Sequence, residues 1–333
     1  KTKDTLKDRD LEIFNHSKGN DFVKNSETSE LLKEPHLLLL EKVIQERKKT
    51  DKKLLDNSFL LKSELEKFLV NTKPTKNVPL KVSENQWHDF KVENICLPLE
   101  DGLIAKTDPS ARIWLIKPKK EKPSNIVVCV AQEGKAAFLI NRKTAILSLL
   151  ESGVCVVMVD LRSTGETEST PFRLPESVAI EQAIDLWQMK ESLIGSRVKD
   201  LRSILSMISK RTDLDSSKGL CLWGEGFTAP NGKNEDVFRF EETSFRQCSP
   251  DGKSLVEAMG VTVCLMTALL TEEVKVSAVV GRGGLISYES ILHDRYHYIP
   301  QDIIIPGLIK VMDLPMIMQT LEKDGVNLYL EDM

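Results

Sequence analysis

The chain has 333 residues, of which 41% are hydrophobic and 29% are charged, and its formal net charge is −4. This length is sufficient for one large domain or two modest ones with a buried core. A net charge so close to zero argues against nucleic acid as a partner. No apolar run has the length of a membrane span, so no membrane partner is predicted. We expect a soluble chain whose compartment and oligomeric state the sequence leaves open. Lys1 begins no signal-peptide pattern, which is typical of a processed product or a fragment.

The six cysteines form no CxxC pair and no cluster with histidine at metal-ligand spacing. Four of them, Cys96, Cys129, Cys155 and Cys221, lie inside apolar runs, where free cysteine behaves as a small buried hydrophobic residue. We therefore predict no metal site and no cofactor.

Three segments precede the main part of the chain. Residues 1–34 are polar and mixed in charge, and we expect a loose lead-in. Leucines recur at helical spacing over 36–70 and predict one or two amphipathic helices with a break near Asp56. Residues 71–85 contain two prolines and few apolar side chains, which indicates a linker. The expected domains are thus a lead-in at 1–34, a helical segment at 35–74 and a main domain at 75–333.

Short apolar runs alternate with helical patterns over the rest of the chain. Such runs, rich in Val, Ile and Cys, are typical of strands that are buried on both faces. The order predicts an α/β fold with a mostly parallel, doubly wound sheet and helices on both faces. Ligands bind at the carboxyl ends of the strands in this architecture. The predicted strands are 90–97, 112–116, 125–131, 154–161, 219–224, 275–280 and 326–330, and the predicted helices are 135–151, 198–209, 254–271 and 314–323.

Several of these runs, taken in order, resemble those of α/β-hydrolases. They include NIVVCVAQEGKAAF, SGVCVVMVDLRSTGET and GLCLWGEG, and later VKVSAVVGRGGLISYESIL and IIIPGLIKVMDLP. The similarity is closest to the acetyl xylan esterase and dienelactone-hydrolase-like branches and covers about residues 86–333. It implies an α/β-hydrolase-like domain and, as its activity, removal of small acyl groups from a carbohydrate ester.

The nucleophile position of this family departs from its pattern. The family places its serine in G-x-S-x-G, a strained turn between a strand and a helix. Here the corresponding residues are GEGFT, so the serine position falls on Gly226. Glycine has no side chain, and nucleophilic catalysis by the usual route is therefore impossible at this position.

Two neighbouring side chains are candidates for a substitute. Glu225 precedes the serine position, and a carboxylate can act as a nucleophile or a base on some scaffolds. Adjacent residues on a turn point in different directions, so a structural role that caps nearby amides is the simpler interpretation. Ser254 starts a predicted helix and is more simply its N-cap, with Glu257 completing an S-x-x-E box.

The resemblance also places the oxyanion-hole backbone at Gln132, Glu133 and Phe227, where N–H groups would do the work. Gly134 would begin the helix after this loop. The Asp160–Gly165 turn resembles a structural D-x-R-G-x-G turn of the family, and we interpret it as architecture.

The remaining catalytic parts are expected near the end of the chain. Glu331 and Asp332 follow the last predicted strand, where the family's acid lies, and simple solvation is an equal alternative. The family's histidine follows one further strand, and we expect the main domain to lack both. Among the histidines, His293 and His297 follow the 275–280 strand and are candidates to reach the cleft, although packing or surface roles are simpler.

Two functions from different classes follow. The favoured one is a pseudoenzyme, a hydrolase-like binding or scaffolding module related to carbohydrate esterases, with a small acylated carbohydrate as the predicted ligand. The alternative is an active ester hydrolase that uses a non-standard catalytic residue or parts supplied by missing sequence.

Overall fold

The structure, a computed structural model, describes residues 35–100, 110–119, 122–168, 178–227, 258–290 and 300–331. The predicted lead-in at 1–34 lies outside these residues, and so do Ser254, His293, His297 and Asp332. The chain divides into two units after Glu46, and the sheet with its covering helices belongs to the second unit.

Seven α-helices and eight strands are found in the described residues. The helices are α1 (Pro35–Leu55), α2 (Ser58–Leu69), α3 (Gly134–Glu151), α4 (Val178–Gln188), α5 (Leu193–Ser209), α6 (Met259–Leu270) and α7 (Leu314–Lys323). The strands are β1 (Leu80–Trp87), β2 (Phe90–Pro98), β3 (Ser110–Lys117), β4 (Ile126–Ala131), β5 (Cys155–Asp160), β6 (Leu220–Glu225), β7 (Val276–Arg282) and β8 (Asn327–Glu331). No helix among them is long and apolar enough to cross a membrane.

The eight strands form one mixed sheet in the order β1-β2-β3-β5-β4-β6-β7-β8. The first four of these strands pair in antiparallel fashion. From β5 to β8 every pair is parallel. Consecutive parallel strands are joined through helices, which is the doubly wound arrangement that the sequence predicts. The predicted fold class is therefore confirmed, and the parallel part places β6 between β4 and β7.

The sheet is buried on both faces by different helices. Val128 on β4 belongs to the larger core, which α5 and α6 cover. The next residue, Cys129, points to the opposite face and packs with Phe138 and Ile146 of α3. Successive strand residues thus enter two different cores, which explains why the strands read as continuous apolar runs. Full burial of one such side chain contributes about 1.5–3 kcal/mol.

Side-chain caps fix several helix starts. Asn57 accepts a hydrogen bond from the Leu60 N–H at 3.0 Å and begins α2, so the helical segment breaks where the leucine pattern predicts. Ser192 caps α5 in the same way, through Gly195 N–H at 3.0 Å. This cap starts α5 at Leu193, five residues before the predicted start at Val198.

Two elements of the structure were not predicted from the sequence. β1 lies partly within the predicted linker. The sequence did not predict it, because its residues are mostly polar, nearly all exposed and contain no apolar run. Among the described strands it pairs with β2 alone, as an edge strand does, and its register runs from Leu80 opposite Cys96 to Trp87 opposite Phe90. The other difference is α4, which no prediction covered.

Candidate functional site at the carboxyl end of β6

Gly226 lies directly beyond the carboxyl end of β6. Its N–H donates a hydrogen bond to the Arg282 carbonyl at the end of β7, at 2.7 Å. Gly283 lies against it, since a Cβ on Gly283 would come within 3.0 Å of the Gly226 carbonyl oxygen. Gly226 itself is not among the residues with positive φ in the described chain. The residue at the predicted serine position therefore follows the end of a central parallel strand and presents only backbone.

Glu225, the last residue of β6, is buried to 1% exposure. Arg142 of α3 binds both of its oxygens, with Nε 2.7 Å from Oε1 and Nη2 2.8 Å from Oε2. Trp223 donates its indole N–H to Oε1 at 2.9 Å. Such a two-pronged charged hydrogen bond is among the strongest that side chains form. The carboxylate is thus fully engaged in holding α3 to the end of β6.

Arg142 is placed by an interruption in its own helix. Its backbone has φ −120° and ψ 18°, which are not helical values. The hydrogen bond to Glu225 is the main cause that raises the pKa of the Arg142 guanidinium. The same guanidinium lies 5.5 Å from the ring centroid of Phe227. One side chain therefore holds the residues on both sides of Gly226.

An aromatic cluster continues this anchoring on the α3 face of the sheet. The Phe138 ring meets Trp223 edge-on at 5.0 Å and Phe227 at 6.0 Å between centroids. Phe227, predicted as an oxyanion backbone donor, is thus fixed by its side chain to α3.

α6 approaches the end of β6 through backbone contact. A Cβ on Gly224 would lie 2.6 Å from the Gly260 carbonyl and 2.7 Å from Val261 Cα. A Cβ on Gly260 would lie 2.7 Å from the Glu225 carbonyl oxygen. The two glycines allow the strand and helix to touch, and any side chain at either position would separate them.

The predicted oxyanion loop lies at the same edge. Gln132 follows β4, and its Oε1 is 3.4 Å from the Met259 N–H at the start of α6. Glu133 is exposed and makes no cap hydrogen bond to α3. The structure thus brings Gln132 to α6 and leaves the Glu133 side chain facing solvent.

The turn after β5 is held by buried charges. The Asp160 carboxylate accepts from the Lys135 N–H at 2.6 Å and from the Glu166 N–H at 3.0 Å, and it pairs with the Lys135 ammonium. Lys135 is 1% exposed, and its Nζ is also 2.9 Å from a Glu166 oxygen. Two carboxylates therefore stabilise a buried lysine, and the contacts agree with the architectural role predicted for the turn.

The second part of that turn is tied to α5. Arg162 binds the buried Asp200 carboxylate at 2.7 Å and Glu100 at 3.1 Å. Burial opposes the charged guanidinium, but Asp200 and Glu100 outweigh this effect and raise the pKa of Arg162. Arg197 pairs with the buried Asp302 at 2.6 Å. Arg162 therefore joins the turn after β5 to α5, and Arg197 joins α5 to the segment that contains Asp302.

The predicted acids and histidines are placed only in part. Glu331 ends β8 opposite Arg282, its side chain is exposed, and its carbonyl accepts from the Gly283 N–H at 3.0 Å. Glu331 thus lies two strands from Gly226 at the same sheet edge. Asp332, His293, His297 and Ser254 remain predictions outside the described residues.

Sequence reasoning missed Arg142 and Lys135. Arg142 lies 83 residues from Glu225, within a helix where a charged side chain predicts only solvent exposure. Lys135 directly follows Gly134, the glycine of the predicted oxyanion loop. Its position beside this loop was the one feature of the sequence that could have marked it as part of the site.

A scan against protein-family models and a search of curated proteins returned no match. Solved structures similar to the chain include a putative acetyl xylan esterase from Bacteroides fragilis, 13% identical with a TM-score of 0.59 over 85% of this chain and 68% of that one. A methylesterase is 14% identical, with a TM-score of 0.48 over 84% of this chain and 59% of that one. A glucuronoyl esterase from Solibacter usitatus is 10% identical, with a TM-score of 0.45 over 78% of this chain and 68% of that one.

Only the first of these likenesses has a TM-score above 0.5, and at 13% identity it concerns the fold alone. In the described residues the fold has the mixed strand order, the parallel pairing around β6 and helices on both faces of the sheet. The described part of the chain therefore has an α/β-hydrolase-like fold.

Proposed function

We propose that this domain is a hydrolase-like binding module that does not carry out the usual serine-hydrolase reaction. The observation that carries the proposal is Gly226 at the end of a central parallel strand. Acyl transfer by the serine route needs a hydroxyl at that place, with a base beside it. Glycine supplies neither an attacking atom nor a proton.

The contacts of Glu225 support the same proposal. A general base needs a lone pair within hydrogen-bond reach of the substrate proton. Both Glu225 oxygens accept from Arg142, and one also accepts from Trp223. Freeing an oxygen for chemistry would break a charged hydrogen bond to a carboxylate that is 1% exposed, which is costly. Glu225 therefore acts as an anchor in this proposal.

The ligand that we propose is a small acylated carbohydrate at the carboxyl end of the sheet. The fold likeness to a putative acetyl xylan esterase makes acetylated xylan the first probe. Polar side chains end three strands of this edge, with Gln132 after β4, Arg282 on β7 and Glu331 on β8. Amide, guanidinium and carboxylate groups are suitable hydrogen-bond partners for sugar hydroxyls.

The test pairs hydrolysis with binding. We expect the purified protein to release no more product than buffer from p-nitrophenyl acetate or acetylated xylan, and calorimetry to detect binding of acetylated xylo-oligosaccharides. The Gly226→Ser variant is the matched control, and we expect it to stay inactive because a hydroxyl alone lacks a positioned base.

Turnover by the unmodified chain would overturn the proposal, and two further measurements would identify its source. Turnover that disappears in Glu225→Gln would indicate carboxylate chemistry. Turnover that survives this change but is blocked by a fluorophosphonate would indicate a serine, with Ser254 as the first candidate. Absence of both turnover and sugar binding would contradict the proposed ligand.

A further inference from the structure

A cleft of about 580 Å³ lies at the opposite end of the sheet from Gly226. One wall is the turn between β1 and β2, with His88 and Asp89, and the other is the end of α3, with Glu151 and Ser152. Its volume lies within the range of small-molecule sites, roughly 300–1,000 Å³. Since parallel strands of this fold class bind their ligands at the carboxyl ends, this amino-end cleft is a separate feature.

The base of the cleft is apolar. Phe90 and Leu150 line it and belong to the buried core on the α3 face of the sheet. Leu147, one turn earlier on α3, lines it as well and is partly buried. These side chains are held by the sheet and the helix, so the surface is preformed. A hydrocarbon group that covers it would be removed from water, which favours binding.

The charged side chains that line the cleft carry a net negative charge. The Lys119 ammonium is 3.1 Å from an Asp89 oxygen, so these two exposed charges offset each other. Glu151 makes no ion pair with any of the residues that the structure describes. It also stands in the last turn of α3, where the helix dipole places a partial negative charge of about half a unit. A cation near Glu151 would therefore be attracted both by the carboxylate and by the partial negative charge at the end of α3.

We propose that this cleft binds an organic amine that carries an apolar group. The ammonium lies against Glu151 and the carboxyl end of α3, and the hydrocarbon covers the partly buried Leu147 and the small exposed part of Phe90, above the buried Leu150. Ser152 and His88 supply further hydrogen-bonding groups at the rim. The proposal is independent of the carbohydrate ligand, because no residue of this cleft takes part in the Gly226 site.

Three probes with one hydrocarbon and different head groups test the proposal. They are 3-phenylpropylammonium, 3-phenylpropanol and 3-phenylpropionate, titrated by calorimetry into the full chain. We expect the ammonium to bind about fivefold more tightly than the alcohol, as one exposed charge contact allows. The carboxylate should bind most weakly. Equal affinity for all three, tightest binding of the carboxylate, or no binding of the ammonium would overturn the proposal.

Variants then locate the binding. Glu151→Gln should weaken the ammonium about two- to fivefold and leave the alcohol unchanged. Glu322→Gln is the matched control, because Glu322 is an exposed acid in the last turn of α7 and does not line the cleft. Ser152→Trp fills the cleft from an exposed position and should abolish binding of the ammonium and the alcohol. Unchanged binding in Ser152→Trp, with circular dichroism showing an intact fold, would place the ligand elsewhere and contradict the proposal.

Discussion

The two ends of the sheet both carry ion pairs, but they differ in burial. At the carboxyl end, Glu225 is 1% exposed and a single arginine, Arg142, matches both of its oxygens. At the amino end, Lys117 and Arg211 share two acids, and one of these acids, Asp213, has 37% of its side chain exposed. Removing a partner from a buried pair leaves an uncompensated charge, whereas water and salt compensate an exposed one. The carboxyl end should therefore be the more sensitive to substitution.

The backbone packing at the two ends also predicts that the carboxyl end is the more sensitive to substitution. Gly224 and Gly260 touch at the carboxyl end, while the amino end is joined through long charged side chains. Long side chains adapt to a change more easily than two contacting backbones do.

The largest expected effect is that of Gly224→Ala. The new Cβ would lie 2.6 Å from the Gly260 backbone, so α6 must move away from β6. We expect the free energy of unfolding to fall by about 3 kcal/mol, as measured by urea denaturation. Gly325→Ala is the matched control, since φ there is 82° and a Cβ at this position would have no atom within 4 Å apart from its own residue and chain neighbours. Strain without a clash should cost about 1 kcal/mol. An equal loss in both variants would refute the close contact.

The next effect is that of Arg142→Met, which keeps much of the side-chain volume but removes the partner of Glu225. We expect a loss of about 2 kcal/mol, below the usual cost of a broken buried pair because Arg142 is itself partly exposed. Lys143→Met changes the neighbouring exposed charge and should alter stability by less than about 0.5 kcal/mol. Should the two variants be equally stable, the Arg142 pair would not anchor α3 to β6.

The smallest effect concerns acid and salt at the amino end. The hydrogen bond from Arg211 is the main cause that lowers the pKa of Asp213, and Lys117 adds to it. A carboxyl whose pKa is lower in the folded state stabilises the fold above its unfolded pKa of about 4, and this contribution is lost as the pH falls further.

The measurement is the urea midpoint of the unmodified chain and of Asp213→Asn at pH 5 and at pH 3. The difference between the two proteins should be larger at pH 5, and about 1 M NaCl should reduce it by screening. A difference that grows towards pH 3 would contradict a lowered pKa for Asp213 in the folded chain.

The apolar runs predict the sheet well because burial on both faces leaves a dense local signal. Val128 and Cys129 illustrate this, since they are adjacent in sequence and each is buried in a different core. β1 lacks that signal, because an exposed edge strand is held by its backbone pairing with β2 and its side chains carry no apolar run. Polar composition therefore predicted a linker where the chain adds a strand.

In the candidate site, too, the features with a local sequence signal were predicted and those that depend on distant residues were not. The order of the strands was sufficient to place Gly226 beyond β6, because a residue that follows a strand lies at that strand's end. The partners of Glu225 had no local signal. Arg142 is 83 residues away, and only the packing of α3 against the sheet brings it there.

The sequence by itself determined the class of fold and the absence of a side chain at position 226, since both depend on residue identity and short-range pattern. Tertiary structure alone decided that Glu225 is an anchor in contact with Arg142, and that a cleft opens at the amino end of the sheet. Contacts between distant segments depend on how layers pack, and no short stretch of sequence encodes the distance between two layers.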